Sequence, residues 1–321
     1  MKKPKHNMKE LRALQALPLE EKILRSQMKV EEFYEHYKGK ICVSFSGGKD
    51  STVLLHLVRT VHPEVKGVFV NTGLEYPEVY NHVLATENVD VIKPALTFRE
   101  VLDRHGWCFP SKEVANKIYY ARKGSVWAIR DMNGQDKNGN PCPYKRSFKK
   151  HKYLVDSPFK ISNKCCDVMK KRPMKKYQRE HGLAIVIGTM AAESALRRGS
   201  WIRTGCNAFN TGRSQPLSFW TEQDILRYIK QHNLTIPSVY GNIVEVDGKL
   251  SCTGESRTGC VFCPIGVHLD KGENKFQRLA RTHPKLHHYC MYKLGLKDLL
   301  DFVGVDWREK RVQQQQLFGF Y

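Results

Sequence analysis

Acidic residues are scarce in this chain. Its 32 Asp and Glu face 53 Lys and Arg, a formal charge of +21 at neutral pH. Such an excess disfavours cationic partners and attracts polyanions. Long apolar runs are also missing, and none approaches the roughly 20 residues of a membrane helix. No membrane partner is expected. The start, Met1-Lys2-Lys3-Pro4-Lys5, lacks the apolar stretch that follows the basic end of a secretory signal. A cytoplasmic location is therefore expected. No internal repeat is visible, and the sole low-complexity tract is a run of four glutamines at 313–316. That absence excludes solenoids and repeat arrays. What remains is a chain of 321 residues, enough for one good core and a smaller appendage.

From about residue 39 the apolar runs alternate between strand-like and helix-like patterns. This predicts an α/β fold with a doubly wound, mostly parallel sheet. Strands are expected at 41–43, 65–70, 89–92 and 183–189. Residues 1–38 read as an N-terminal helical cap and 39–240 as a nucleotide-binding α/β domain with a basic insertion at about 131–153. Residues 241–321 read as a hairpin, a C-x-x-C segment and a helical tail over 274–300. Together the last pieces form a small C-terminal cysteine-containing helical module.

The densest signal is Ser44-Phe45-Ser46-Gly47-Gly48-Lys49-Asp50-Ser51, placed between a strand and a helix. A glycine turn opening a helix gathers backbone N–H groups at one point, where phosphate binds. Ser46 and Ser51 add hydroxyls, Lys49 a charge, and Asp50 a carboxylate able to hold Mg2+. The catalytic candidates are Asp50, Lys49 and Ser46. The spacing is not that of G-x-x-x-x-G-K-[ST]. It resembles the PP-loop of the ATP pyrophosphatase superfamily, an adenine nucleotide α-hydrolase-like fold, which implies ATP as cofactor. Asn71, Thr72, Gly73, Gly188 and Thr189 end two further strands and are expected beside the same nucleotide.

Ten cysteines in a cytosolic chain are not expected to form disulfides. Cys165-Cys166 and Cys260-x-x-Cys263 supply four thiolates, the number for a [4Fe–4S] cluster or a tetrahedral Zn2+. Adjacent cysteines suit a cluster with several iron corners better than one Zn2+. The zinc alternative could recruit His268, His283, His287 or His288, and the thiols could also be unligated. Cys42 reads as a strand-core residue. Within the insertion, Lys145, Arg146, Lys149 and Lys150 alternate with aromatics, a pattern for phosphate contact and base stacking. A solvated basic loop is the other reading.

Beyond the loop, the chain carries V-F-V-N-T-G-L-E-Y-P, C-C-x-x-x-K-K-x-P, G-T-M-A-A-E-S-x-x-R-R, S-Q-P-L-S-F-W-T-E-Q-D-I-L-R-Y-I and C-x-x-C. Over residues 39–266 these resemble the phosphoadenosine-phosphosulfate (PAPS) reductase family, in its iron–sulfur-cluster-bearing branch. The resemblance implies a [4Fe–4S] cluster on Cys165, Cys166, Cys260 and Cys263. It also implies phosphate contacts from residues 46–51 and further anion contacts from Arg197 and Arg198. The chain departs from the sulfonucleotide reductases of that family in showing no cysteine in a C-terminal E-C-G-x-H-type motif. That departure and the charge favour an ATP-dependent sulfurtransferase that adenylates and thiolates a nucleic acid. Such an enzyme would draw sulfur from a donor such as a cysteine desulfurase. The alternative is a sulfonucleotide reductase using a thiol from elsewhere, and the second alternative a non-catalytic nucleic-acid-binding protein.

Overall fold

A computed structural model of the chain describes residues 4–309; the glutamine run at 313–316 and the C-terminal segment without a cysteine lie outside the described residues. Packing divides the chain into two units, each discontinuous in sequence. The first comprises the residues up to 95 and 168–261, the second 96–167 and 262 onward.

The first unit opens with helices α1 (Met8–Gln15) and α2 (Leu19–His36). Strand β1 (Ile41–Ser44), helix α3 (Lys49–Arg59), β2 (Gly67–Val70), α4 (Pro77–Leu84) and β3 (Val89–Ile92) follow. The chain re-enters at α5 (Arg172–His181) and continues through β4 (Ala184–Ile187), α6 (Ala195–Thr204), β5 (Asn207–Ala208) and β6 (Arg213–Ser214). It ends with α7 (Glu222–Gln231) and the hairpin β7 (Ile243–Val246) and β8 (Lys249–Cys252), as its Asp-Gly turn predicts. The sheet order is β3-β2-β1-β4-β6-β5, parallel except for β5 against β6. This confirms the expected doubly wound, mostly parallel α/β sheet. Strands buried on both faces read as near-continuous apolar runs, and β1 supplies Ile41, Cys42 and Val43, all buried.

Residues alternate between the two faces. Ile41, Val43 and Phe45 join α2, α3 and α7 in the larger core, with Val53, Leu57, Phe33, Trp220 and Ile225. Cys42, Val68 and Ile185 meet Met174 and Tyr177 of α5 on the other face. Polar ties fix α2 to α7. Lys22 Nζ lies 2.8 Å from Asp224, both nearly fully buried, and the Trp220 indole donates to Ser26 at 2.9 Å. Successive connections from β1 run one way to β2 and the other way to β4, so the strand order reverses at β1. In open α/β sheets that reversal opens a crevice beyond the strands' carboxyl ends.

The second unit is helical. Its longer pieces are Phe98–His105, Lys112–Ala121, Val126–Met132 and Lys275–Thr282. The helical tail expected over 274–300 is a series of short helices, Lys275–Thr282, Pro284–His288 and Leu296–Phe302, with a π-turn at Tyr289–Lys293. Proline at 284 has no N–H for the preceding turn, and Gly295 takes φ of +74°, outside the helical range. No helix among the described residues is long and apolar enough to cross a membrane.

Candidate nucleotide site and thiol group

The turn after β1 closes on its own serines. Ser46 N donates to Ser51 Oγ at 3.2 Å, and the two hydroxyls lie 3.0 Å apart. Ser51 donates to Gly48 O at 2.8 Å. Gly47 sits at φ +72°, and a Cβ there would stand 2.5 Å from Val83 and 3.0 Å from the Val79 carbonyl. Only glycine satisfies both demands. Gly48 is held from the other side by Tyr240 and Thr258. Lys49 N donates to the Tyr240 hydroxyl at 3.1 Å, and that hydroxyl lies 2.6 Å from Thr258 Oγ1.

Lys49 and Asp50 have different fates. The Lys49 side chain is 2% exposed, and its ammonium lies 2.6 Å from the Ser256 carbonyl and 3.3 Å from Glu222. It also stands over the Tyr240 ring. Its charge is spent on protein groups that fix the turn. Asp50 Oδ1 is buried and has no hydrogen-bond partner among the described residues. Burial pushes the Asp50 carboxyl up, against the pull of Lys49, Arg257 and Arg197.

The neighbouring strand ends add to this point. Asn71 Oδ1 accepts from Gly73 N at 3.1 Å, and Thr72 donates its hydroxyl to Glu75 at 2.7 Å. Gly188 follows β4 directly; a Cβ there would lie 3.2 Å from the Asp50 carbonyl. Thr189 continues that turn, its N–H donating to Ile187 O. Beyond it, Glu193 caps Met190 N at 2.8 Å, pairs with Arg197 and lies 3.7 Å from Arg257. Arg198 lies one residue further along α6 and is half-buried. Since β2, β1 and β4 are adjacent strands, residues 46–51, 71–73 and 188–189 stand side by side.

On the α5 face a cavity of about 510 Å³ opens at these ends. Phe45, Val68, Phe69, Val70, Ile185 and Ile187 give it apolar walls, and Ser46 lies on its lining. That volume and character suit a purine nucleotide. Lys175 and Arg213 also line it, as do Lys170 and Lys171. Sequence reasoning missed Lys175, Arg213, Arg257 and Tyr240. No motif marks them, because their partners are far away in the chain.

Thiols gather in the second unit. Cys165 is hydrogen-bonded to Cys108 and Cys166, which push and pull its proton in opposite directions; the Cys108 bond dominates, and the thiol rises to about 12. Cys263 contributes its charge to the same group. Lys112 lies against Cys166; burial works against its charge, but Cys166, Cys108 and Cys263 outweigh it and hold the ammonium above its ordinary pKa. Cys260 belongs to the first unit. Among the described residues no three Cys, His, Asp or Glu side chains stand at metal-ligating geometry. The donor chemistry nevertheless suits a thiolate-bound group, since two of the four expected ligands, Cys166 and Cys263, act on the one Lys112 ammonium and Cys165 is bonded to Cys166. Cys108 is an unexpected member of this group. Of the histidines weighed for zinc, His287 has its Nε2 3.1 Å from the Trp307 carbonyl.

In the insertion, Lys145 contacts Asp131 and donates to Gln135 O at 2.7 Å. Arg146, Lys149 and Lys150 are exposed on the one-turn helix Arg146–Lys149 and just after it.

The phosphoadenosine phosphosulfate reductase domain, as a family model, matches residues 40–123 and 132–264. The adenosine 5'-phosphosulfate reductase of Bacillus cereus (strain Q1) is 22% identical over 263 residues, 79% of this chain and 87% of that enzyme. Its namesake in Staphylococcus haemolyticus (strain JCSC1435) is 23% identical over 271 residues, covering 80% and 85%. A crystal structure of the phosphoadenylyl-sulfate reductase of Candida auris, in complex with phosphate, overlaps 77% of this chain and 100% of that one. Its TM-score of 0.36 at 13% identity carries no argument.

These relatives overturn the expectation of ATP-dependent nucleic-acid thiolation. They are named as sulfonucleotide reductases, and the sulfurtransferase reading gives way to its alternative. Net charge misled because it counts cations without their partners. Lys49 and Lys145, both counted toward phosphate, are engaged by protein acceptors. The chain belongs to the family of the phosphoadenosine phosphosulfate reductase domain.

Proposed function

We propose that this chain reduces an adenylyl sulfate to sulfite. The observation that carries the reading is the cavity on the α5 face, whose apolar walls meet the anion-binding turn at Ser46. The purine would lie against Val68, Val70 and Ile187, and the 5'-phosphate would take the N–H groups of residues 46–51. Arg197 and Arg257, gathered by Glu193, would receive the sulfate oxygens, for which guanidinium forks are suited. The names of the relatives support the same chemistry.

In the reaction the bond between the sulfate sulfur and its bridging oxygen breaks. Two thiols give up two electrons and two protons and end as a disulfide. The nucleotide leaves as its 5'-phosphate and the sulfur as sulfite. Cys290 is unsuited to supply a thiol, being wholly buried with its pKa pushed far up by that burial. The reducing thiols therefore come from another cysteine or from a dithiol partner. Cys165, Cys166, Cys260 and Cys263 would hold a [4Fe–4S] cluster, which when bound supplies an iron–sulfur redox centre. The Lys112 ammonium would balance part of the thiolate charge.

The test is anaerobic incubation of iron-replete protein with adenosine 5'-phosphosulfate and its 3'-phosphorylated form, using dithiothreitol or thioredoxin as reductant. Sulfite release is expected from at least one of them. No sulfite from either, in protein that retains iron, defeats the reading.

A further inference from the structure

A second cavity, of about 350 Å³, lies within the first unit and shares no lining residue with the one at the strand ends. Its lining comes from α1 and α2 with the residues just before them, and from α6 with the turn that follows. The walls are aromatic and apolar. Trp201 and Phe219 are each 2% exposed, and Phe209 and Leu14 are half-buried. His6 stacks on the Trp201 indole with ring centroids 4.7 Å apart, and its Nδ1 lies 2.9 Å from Glu10.

Most polar side chains on this lining are engaged by protein. Arg25 pairs with Glu21 at 2.7 Å and Lys29 with Glu32 at 2.6 Å. Asn207 donates to Lys29 O at 2.9 Å and accepts from Ser214 at 2.6 Å. Trp201 differs. Its Nε1 is buried and has no hydrogen-bond partner among the described residues. The Cys206 sulfur is close enough to interact with the indole, but a thiol is a weak acceptor, and this one already lies 3.3 Å from the Ser218 hydroxyl. Lys5, exposed on the same lining, forms no ion pair among the described residues. A buried indole N–H without an acceptor costs free energy that a ligand oxygen would recover. Aromatic walls beside that donor and an unpaired ammonium call for a flat ring bearing an anionic oxygen.

We propose that this cavity is a second ligand site, separate from the nucleotide site, for a small aromatic carboxylate of one or two rings. The ring packs against Phe209, Phe219 and Trp201. One carboxylate oxygen accepts from Trp201 Nε1, and the Lys5 ammonium offsets the charge. The volume falls in the range of small-molecule pockets.

Isothermal titration of the full chain with 1-naphthoate and with its neutral amide, 1-naphthamide, tests the site without turnover. Saturable binding of 1-naphthoate with a Kd below about 1 mM is expected, tighter than the amide by about tenfold. In 15N-labelled protein the Trp201 indole resonance, assigned with Trp201→Phe, should move on binding. Trp201→Phe should weaken 1-naphthoate by about tenfold and leave the affinity for adenosine 5'-phosphate unchanged. Should that core variant misfold, Lys5→Ala at the exposed edge decides the matter, since it should bring the carboxylate-to-amide affinity ratio toward one. No binding up to about 1 mM, or binding that leaves the Trp201 resonance in place, would overturn the site. Equal affinity for the amide in the wild type would overturn the carboxylate class. Displacement of 1-naphthoate by adenosine 5'-phosphate would place it in the other cavity and overturn the proposal as well.

Discussion

At the scale of single residues, the turn depends on atoms that cannot be added. Gly47 needs a left-handed backbone and has no room for a Cβ beside Val79 and Val83. Gly47→Ala is expected to cost at least about 2 kcal/mol, from the left-handed penalty for an L-residue together with the overlap. Nucleotide binding should be lost with it. Urea denaturation and titration with adenosine 5'-phosphate measure the two effects, and wild-type values in both would refute the role given to the turn. Asp50 presents the opposite case, a buried carboxylate oxygen without a hydrogen-bond donor. Its removal should leave the fold intact. Asp50→Ala and Ser46→Ala are each expected to lower sulfite release by about 10²–10³-fold, the usual effect of losing one aligned polar group. Unchanged rates would remove these residues from the machinery.

Among the elements, α7 is fixed by Asp224. Its carboxylate accepts from Thr221 N at 2.7 Å and Thr221 Oγ1 at 2.8 Å, capping the helix, and also holds Lys22. Asp224→Ala strands a buried ammonium and is expected to cost about 3–5 kcal/mol. Replacing both partners, as in Lys22→Met/Asp224→Leu, should recover much of that loss in urea melts. A double variant as unstable as the single one would show that the cap, not the charge, dominates. The second unit has its own pair of this kind. Asp131 of Val126–Met132 contacts Lys117 and Lys145. Burial alone would raise its carboxyl, but the two ammonium groups outweigh burial and hold it below the usual range. A depressed carboxylate stabilises the fold above its unfolded pKa of about 3.9, and the contribution is lost as pH falls through the folded value. Asp131→Asn should therefore destabilise the protein near pH 7 and progressively less below pH 4. An equal loss at every pH would exclude this linkage.

For the molecule as a whole, the proposed cluster distinguishes this chain from a plain nucleotide-binding fold. Cys165→Ser/Cys166→Ser is expected to abolish bound iron and the visible thiolate-to-iron absorption of anaerobically prepared protein. Iron and sulfide analysis of wild type and variant makes the comparison. Stoichiometric zinc without iron in the wild type would replace the cluster with the tetrahedral alternative. The charge of +21 also changes meaning at this scale. Part of it is engaged by groups within the protein, as Lys49 against Ser256 and Lys112 against Cys166 illustrate.

The sequence by itself determined the parts whose causes are local. Apolar runs ending in Ser-Gly-Gly, Asn-Thr-Gly and Gly-Thr marked β1, β2 and β4 and put their polar ends at one edge of a parallel sheet, because consecutive residues alone set strand, turn and helix start. Asp247-Gly248 announced its hairpin for the same reason. The broken helical tail was less legible, since Pro284 and Gly295 divide a pattern whose apolar spacing continues across them. Tertiary structure decided what depends on distant partners. It brought the Lys49 ammonium against the Ser256 carbonyl, 207 residues on. It placed Arg213 beside Ile185 through strand pairing, brought Cys108 against Cys165, and drew residues 96–167 into a unit with the C-terminal helices. None of these leaves a trace in local spacing, because a side chain's partner is chosen by the packing of elements, and a charge or thiol reads the same in sequence whether it is spent on protein or held for a substrate.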